Sequence, residues 1–440
     1  MTGKANIEKN TSIKGSFVRR ALSAHGSIAI VISAFLYNLC FSGTVAVLKD
    51  ELQLLEQTGE PVVEWLSPDT THAAAINGFE VDKTSKHMYI HMPHESLNRA
   101  IMQTDNSERF ITSSGEIADA IDYPWTDFLI KMHYYLTLPE AFGMTIVAIF
   151  GVFLFAVTVS GFLAHPNIIK DAFAYRKSKS EQVKEVDLHN RLSVWTAPFN
   201  IAVTLTGTMI GLATMTAIAV GVLKYDGDFE AVFEPVFGYE PPADERSDEM
   251  ANISKALEYM QENHPEKPPV FVIIHDPGTQ GQYLQIMAKH PRRLIYADKY
   301  NFNSNGDFID TVGSADGDFG QQVADSLYRV HFGYFGGLPV KIAYVVFGIA
   351  MLYIISSGMN IYLLKRRSKG RPSPSMEGAW KGVVWGTPIM FIINFAITVV
   401  MPELTSQLIP IYWIGLIFVI CLMAVRHSWL EAKLTPTIEA

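Results

Sequence analysis

Four histidines in this chain have a spacing that suggests chemistry. His25 and His189 each stand at the start of an apolar stretch, and each is followed 18 residues later by a glycine, Gly43 or Gly207. At about 1.5 Å of rise per helical residue, that interval covers roughly 27 Å, close to the ~30 Å hydrocarbon core of a bilayer. An ionisable residue at a membrane edge is costly without a partner, so the matched pair is a functional-site hypothesis.

A second pair, His133 and His331, precedes two further apolar stretches, and each reaches a glycine, Gly161 or Gly358, after 28 or 27 residues. Two imidazoles on facing helices can ligate one iron from both faces of a porphyrin, which then fills the apolar space between the helices. Two pairs predict two haems, one in each leaflet, as electron transfer across a bilayer requires. A lone interfacial histidine is more often a hydrogen-bonded edge residue than a ligand, but four in duplicate register favour the cofactor interpretation.

Basic residues beside these histidines are weaker candidates, because they could pair with haem propionates. The alternative role, as anchors of the positive-inside rule or as ordinary surface charges, is the more common one for such residues. The weaker candidates are Arg20, Arg191, Lys131 and Arg329.

Other histidines have less support. His165 could compete for the inner site, but the second half of the chain has no counterpart to it, and His427 at the end of the last span is a similar minor candidate. The only dense histidine cluster consists of His87, His91 and His94. Alternation along an extended run puts His87 and His91 on one face, where they could contact a metal or an iron chelate. Solvated loop histidines are the more common case.

The elements that position these residues are predicted membrane helices. The chain has 440 residues, of which 49% are hydrophobic, and its long apolar runs are typical of a polytopic membrane protein. The first run is too long for the core of a secretory signal and no small-x-small cleavage site follows it, so we expect a retained helix. Both cysteines, Cys40 and Cys421, lie inside predicted spans, which predicts no disulfide framework. The predicted spans are 28–48, 139–164, 194–223, 338–364, 383–400 and 408–425.

Lysine and arginine residues precede the first span and fill the connections after the second and fourth, which predicts that these segments and both termini face the cytoplasm. Much of the acid behind the net charge of -9 lies in the two segments on the opposite side. The predicted organisation is an N-terminus with the first span (1–49), an external domain (50–130), the second span (131–165), a cytoplasmic loop (166–190), the third span (191–224), an external domain (225–328), the fourth span (329–365), a cytoplasmic loop (366–382), a hairpin of the fifth and sixth spans (383–427) and a cytoplasmic tail (428–440).

The first four spans read as an internal duplication, in which one helix, one external domain and one helix occur twice. Because both repeats start on the same side they are parallel, and their axis would run along the membrane normal. The external segments predict small α+β domains, with strands at 61–66, 88–92 and 110–112 in the first and at 270–275, 282–287 and 294–298 in the second. An amphipathic helix is expected at 250–261.

These landmarks resemble the PepSY-associated transmembrane family, bacterial iron-regulated inner-membrane proteins that include ferric-siderophore reductases. The resemblance covers about residues 19–369. The residues that carry it are Arg20, His25-Gly26, Ser42-Gly43, His133, Ser160-Gly161, Leu188-His189-Asn190-Arg191, Thr206-Gly207, His331 and Ser357-Gly358. It implies an all-α polytopic membrane bundle of about six helices with two PepSY-like periplasmic domains. It also implies haem b held by paired histidines, His25 with His189 and His133 with His331.

The resulting hypothesis is a dihaem transmembrane oxidoreductase of the bacterial inner membrane, which reduces a ferric siderophore or another iron chelate in the periplasm during iron acquisition. The chain has no dinucleotide fingerprint and no phosphate loop. Electrons would therefore come from a quinol, a reduced flavin or a separate reductase, and no nucleic-acid partner is expected. The alternatives are a non-redox membrane protein that binds peptides or regulates a peptidase and, with less support, a transporter, which would show broken helices and acids at mid-membrane.

Overall fold

The structure is a computed structural model that describes residues 2–57, 59–94, 97–165, 167–173, 180–228, 231–232, 234, 238, 243–292, 294–313 and 317–434. The predicted segments 166–190, 225–328 and 428–440 therefore lie partly outside the described residues. The helices in chain order are α1 (Thr2–Ala46), α2 (Lys49–Glu56), α3 (Pro68–Val81), α4 (Pro124–Tyr135), α5 (Glu140–Ala164), α6 (Ile168–Asp171), α7 (Glu181–Trp195), α8 (Ala197–Gly211), α9 (Ala213–Lys224), α10 (Ile253–Asn263), α11 (Phe319–Phe332), α12 (Gly337–Ser368), α13 (Pro374–Val400) and α14 (Leu408–Leu434), with a 3₁₀ turn at Pro402–Gln407. The strands are β1 (His87–His91), β2 (Ala100–Thr104), β3 (Glu108–Ile111), β4 (Ile117–Ala120), β5 (Pro269–His275), β6 (Tyr283–Ala288), β7 (Asp298–Phe302) and β8 (Phe308–Val312).

The chain divides into two compact units. The helical unit consists of Met1–Val47, Pro124–Leu212 and Pro339–Ala440, and the sheet unit consists of Leu48–Tyr123 and Ala213–Leu338.

Among the described residues, five helices are long and apolar enough to cross a membrane, and a sixth span results if α8 and α9 are the two parts of a bent one. The chain is thus a multi-pass membrane protein, and the prediction of a polytopic helical bundle is confirmed. The prediction of one continuous third span is wrong, because the chain breaks at Thr196 and at Leu212. Pro198 favours a new helix start after Thr196, since a proline is tolerated in the first turn of a helix and not in its interior.

The helices that carry His133 and His331 are separate from the spans that follow them. The predicted second span 131–165 is divided between α4 and α5, because Leu136 and Thr137 have positive φ angles of 53° and 58°. Pro139 follows them, and a proline cannot continue the preceding helix. In the second half, Gly333 ends α11 in the left-handed conformation, with φ of 71°. Each of the two histidines therefore lies in the last turn of a short helix.

The last two spans are longer than predicted. α13 begins at Pro374, so the predicted cytoplasmic loop 366–382 shrinks to a short turn. α14 continues to Leu434, into the predicted tail. Polar and charged residues at a helix end do not stop the helix, and Pro374 is suited to the first turn. Apolar runs therefore gave spans that were too short at both places.

The two external segments were predicted as two domains, but their strands form one antiparallel eight-stranded sheet with the order β4-β3-β2-β1-β5-β6-β7-β8. The first strands of the two segments meet in the middle, with Tyr89 opposite Ile273. In each segment a helix, α3 or α10, precedes a four-strand meander. The strands predicted at 88–92, 110–112, 270–275 and 282–287 and the helix at 250–261 are confirmed.

The strands predicted at 61–66 and 294–298 are wrong. Val63, Leu66 and Ile295 are buried, but each of them is an apolar residue of a loop and not of a strand. An apolar residue in a loop and one in a strand give the same local pattern, so periodicity did not separate them.

The core of the sheet unit lies between α3, α10 and one face of the sheet. Every second side chain along a strand belongs to this core and the others lie on the opposite face of the sheet. Met88 and Ile90 of β1 and Val272 and Ile274 of β5 are examples of the core side chains. Ser67 and Asn252 cap the two helices by accepting from the backbone N–H three residues later. This packing leaves the side chains of His87, Tyr89 and His91 on the opposite face of β1.

Candidate functional site

His25 of α1 and His189 of α7 lie beside each other in the helical unit. Their ring centroids are 6.4 Å apart and the rings are nearly perpendicular, at 85°. Two imidazoles can ligate one metal ion from opposite sides, each through a bond of about 2 Å. Their ring centroids are then about 6 Å apart. The pair that the sequence predicted therefore has the separation that one shared metal ion requires, and a bis-histidine haem iron fits this donor set.

The Nδ1 atom of His25 is held by α5. It lies 2.9 Å from the carbonyl oxygen of Val157 and 3.4 Å from the hydroxyl of Ser160. A carbonyl oxygen can only accept, so the imidazole donates through Nδ1–H. The lone pair of the neutral ring therefore lies on Nε2, which is the atom available to a metal.

The Nδ1 atom of His189 is held by α12 in the same way. It lies 3.0 Å from the hydroxyl oxygen of Ser357, and the backbone carbonyl of Ile354 is a further partner. The Ser357 hydroxyl donates its own hydrogen to the Ile354 carbonyl over 3.1 Å, so its oxygen accepts from the imidazole. The lone pair of His189 is again on Nε2.

His133 of α4 has an equivalent arrangement with α1. Its Nδ1 lies 3.1 Å from the carbonyl oxygen of Leu39, which also accepts from the Ser42 hydroxyl at 3.0 Å. Leu39 follows His25 by 14 residues, about 21 Å along the helix. His133 thus contacts α1 about 21 Å along the helix from His25.

The three arrangements share one pattern, which we call a Ser-Gly seat: a carbonyl oxygen of one residue, a serine three residues later and the glycine that follows it. The seats are Val157-Ser160-Gly161, Ile354-Ser357-Gly358 and Leu39-Ser42-Gly43.

The glycine of each seat lies beside the imidazole, and at Gly43 the close approach leaves no space for a side chain. A Cβ on Gly43 would stand 2.5 Å from Cε1 of His133, and Cβ atoms on Gly161 and Gly358 would stand 3.3 Å and 3.5 Å from Cε1 of His25 and His189. The sequence located these glycines by their spacing but missed the role of the serines. The recurring x-x-Ser-Gly pattern is the signal that could have shown it.

His331 lies on α11 in the sheet unit, with its ring 5.5 Å from that of Phe332. A related stretch on α8, Val203-Thr204-Leu205-Thr206-Gly207, has a threonine in place of the serine, and the Thr206 hydroxyl donates to the Ala202 carbonyl at 2.7 Å. Of the four predicted ligands, the structure brings His25 and His189 together.

A family model described as PepSY-associated TM region matches residues 22–365. The chain belongs to this family. One relative is the uncharacterized protein PA4219 of Pseudomonas aeruginosa, which is 27% identical over 122 residues, 28% of this chain and 31% of that protein. The chain thus matches less than a third of its relative's length, and the relative's name carries no activity.

Three of the four basic residues proposed as weaker cofactor contacts have structural partners. Lys131 pairs with Asp127 at 2.6 Å, one helical turn away. Arg191 donates to the carbonyl of Ala172 at 3.2 Å. Arg329 donates to the carbonyls of Tyr334 and Tyr296 at 2.6 Å and 2.9 Å. Arg20 is exposed, and the contact of all four with a propionate stays a prediction.

The minor candidates lie elsewhere. His165 follows the last residue of α5. His427 contacts Glu377 at 3.2 Å, and these two with Glu431 form a group of possible metal ligands within 4.8 Å. The Arg367 guanidinium bridges both carboxylates, at 2.7 Å and 2.6 Å. This cation offsets part of the negative charge of the cluster, which forms an ion-pair network between the ends of α12, α13 and α14.

The predicted cluster of His87, His91 and His94 is divided in the sheet. His87 lies opposite His275 of β5, and the two rings are 5.5 Å apart. The Nε2 of His91 instead lies 2.8 Å from the side-chain oxygen of Gln103, while His94 forms a bridge with Leu97. The sequence missed His275, because its pairing with β1 depends on how two distant segments meet.

Proposed function

We propose that the protein is a dihaem oxidoreductase that moves electrons across the membrane to a ferric chelate. The observation that supports it is the His25–His189 pair, with centroids 6.4 Å apart and both Nδ1 atoms engaged by Ser-Gly seats. Nothing in a simple membrane anchor requires two neighbouring imidazoles that are both held through Nδ1.

In this proposal His25 and His189 hold one haem b, and by the sequence repeat His133 and His331 hold the other. Haem iron supplies one-electron transfer. The protein fixes the ring orientation of its histidines and keeps their Nε2 atoms unprotonated. The terminal acceptor is the ferric iron of a siderophore or another chelate, which takes up one electron and becomes ferrous. Hard oxygen ligands hold ferrous iron less tightly, so the metal is released. The donor is a quinol, a reduced flavin or a separate reductase.

We place the protein in the bacterial inner membrane with both termini in the cytoplasm, as the basic residues of the connections indicate. The sheet unit would then lie in the periplasm, on the side where the chelate arrives.

An internal duplication underlies this proposal. It is supported by the repeated order of a helix followed by four strands, which is α3 with β1–β4 in the first segment and α10 with β5–β8 in the second. It is also supported by matching turns, in which Gly115 and Gly306, with φ of 83° and 76°, pack against the first turns of α3 and α10. The Ser160-Gly161 and Ser357-Gly358 seats repeat in the same order. Equivalent histidines then meet on a pseudo-two-fold axis.

The experiment is an absorbance spectrum of the full-length protein, purified in detergent from haem-supplied cells, before and after dithionite. We expect a low-spin b-type spectrum with two haems per chain. His25→Ala and His189→Ala should each remove one haem, and His133→Ala and His331→Ala the other. His72→Ala, on α3 of the sheet unit, is the control and should keep both. A haem-free wild-type protein would refute the proposal, and full haem content in all four variants would refute the ligand assignment.

A further inference from the structure

We propose that Ser357, and to a lesser degree Ser160, are positioning residues that set the ligand strength of His189 and His25 toward a shared iron. The proposal rests on the proposed function, and it assigns a role to hydroxyls that lie on different helices from the histidines. Neither serine would touch the metal; each acts through an Nδ1 atom.

The two seats differ in which atom is closest to the imidazole. For His25 the Val157 carbonyl is nearer, at 2.9 Å, and the Ser160 hydroxyl is at 3.4 Å. For His189 the Ser357 hydroxyl is at 3.0 Å. Removal of the hydroxyl from Ser160 therefore leaves the main acceptor of His25 in place. Removal from Ser357 takes away the hydroxyl acceptor of His189 and leaves the Ile354 carbonyl as its remaining partner.

The Ser357 hydroxyl is also the middle of a hydrogen-bond chain. His189 donates to Ser357, and Ser357 donates to the carbonyl of Ile354 at 3.1 Å. Each bond in such a chain polarises the next. An acceptor on Nδ1–H pushes electron density toward Nε2 and makes the imidazole a stronger donor to a metal. A stronger donor stabilises the ferric state more than the ferrous state, so the seat lowers the midpoint potential of the haem.

Serine in a membrane helix has a common structural role, because its hydroxyl often bonds the carbonyl one turn back and its small size lets helices approach. Ser160, Ser357 and Ser42 all make that local bond. The local bond alone does not explain why all three stand next to a glycine and next to a histidine of another helix. The adjacent Ser356 has the same side chain and lies on the same helix, which makes it the matched control.

The test compares Ser357→Ala, Ser357→Thr, Ser160→Ala and Ser356→Ala in the full-length protein. The readouts are the midpoint potential of each haem by redox titration, the low-spin electron paramagnetic resonance signal and haem retention. Ser357→Ala should raise the potential of one haem, shift its resonance signal and weaken haem retention about tenfold. Ser160→Ala should change the same haem in the same direction by less. Ser357→Thr should restore wild-type values, and Ser356→Ala should match the wild type.

The outcomes separate this inference from the proposed function. A wild-type protein without haem refutes both. A wild-type protein with two haems whose potentials and resonance signals are unchanged in Ser357→Ala refutes the inference and leaves the function standing. An equal change in Ser356→Ala, or no recovery in Ser357→Thr, also refutes it, because the effect would then come from packing rather than from the hydroxyl.

Discussion

At the scale of single residues, the tautomers of His25, His133 and His189 follow from acceptors that have no hydrogen to donate to the imidazole. Val157 and Leu39 offer carbonyl oxygens to His25 and His133, and the Ser357 hydroxyl has already donated its hydrogen. The sequence located the histidines and glycines, because spacing along one helix is visible in a linear pattern. It could not show the acceptors, since Val157 lies 132 residues from His25 along the chain.

The pH dependence of the sheet unit should be visible at His275. Burial, with a smaller effect of His87, lowers the pKa of His275 to about 4, against about 6.5 in an unfolded chain. The unfolded state binds the proton more readily, so the stabilisation is present above pH 6.5 and is lost as the pH falls toward 4, by at most about 3 kcal/mol. His275→Phe, which keeps the ring stack on Tyr283, should therefore lose less stability over this range.

The measurement is hydrogen exchange of the sheet strands in the full-length protein at several pH values. Tyr283→Phe keeps the stack and both imidazoles, so it should follow the wild-type pH dependence. An identical slope for His275→Phe and the wild type between pH 6.5 and 4 would contradict the assignment. His91 adds to the loss of stability of the sheet unit in the same pH window, because burial also lowers the pKa of His91 to about 4.

At the scale of elements, the last hairpin is built into the helical unit rather than appended to it. Asn38 of α1 accepts from the Thr387 hydroxyl of α13 at 3.2 Å and from the Tyr412 hydroxyl of α14 at 2.5 Å. All three side chains are buried. The apolar runs predicted that α13 and α14 exist, because their composition is visible in sequence. Their docking on α1 was not predicted, because a single polar residue in an apolar run does not reveal its partner.

Asn38→Leu should destabilise this docking. The change removes the acceptor of two buried hydroxyls, which costs about 1–2 kcal/mol for such bonds within a membrane bundle. Thermal unfolding in detergent measures this loss of stability as a lower Tm. The triple variant Asn38→Leu, Thr387→Val and Tyr412→Phe removes the stranded hydroxyls as well, so it should be less destabilised than the sum of the single changes. Additive effects would contradict the network.

At the scale of the whole molecule, the main difference from the sequence prediction is the single sheet. Strand patterns within each segment predicted β1, β3, β5 and β6, because alternation is local. The pairing of β1 with β5 joins residues about 184 positions apart, such as Tyr89 and Ile273, and no local pattern contains it. Two segments separated by membrane helices therefore share one core, with Ile90 and Val272 in the same cluster.

A shared sheet predicts that damage in one segment spreads to the other. β1 is a central strand with β2 on one side and β5 on the other, and a proline there removes a donor from the ladder and is tolerated only at sheet edges. Tyr89→Pro should therefore reduce hydrogen-exchange protection in β5, β6 and β7 as well as in β2 and β3, whereas Tyr89→Phe should leave all of them protected. Loss confined to residues 87–111 would mean that the two segments fold as separate domains, because independent cores would leave the second meander intact when the first opens.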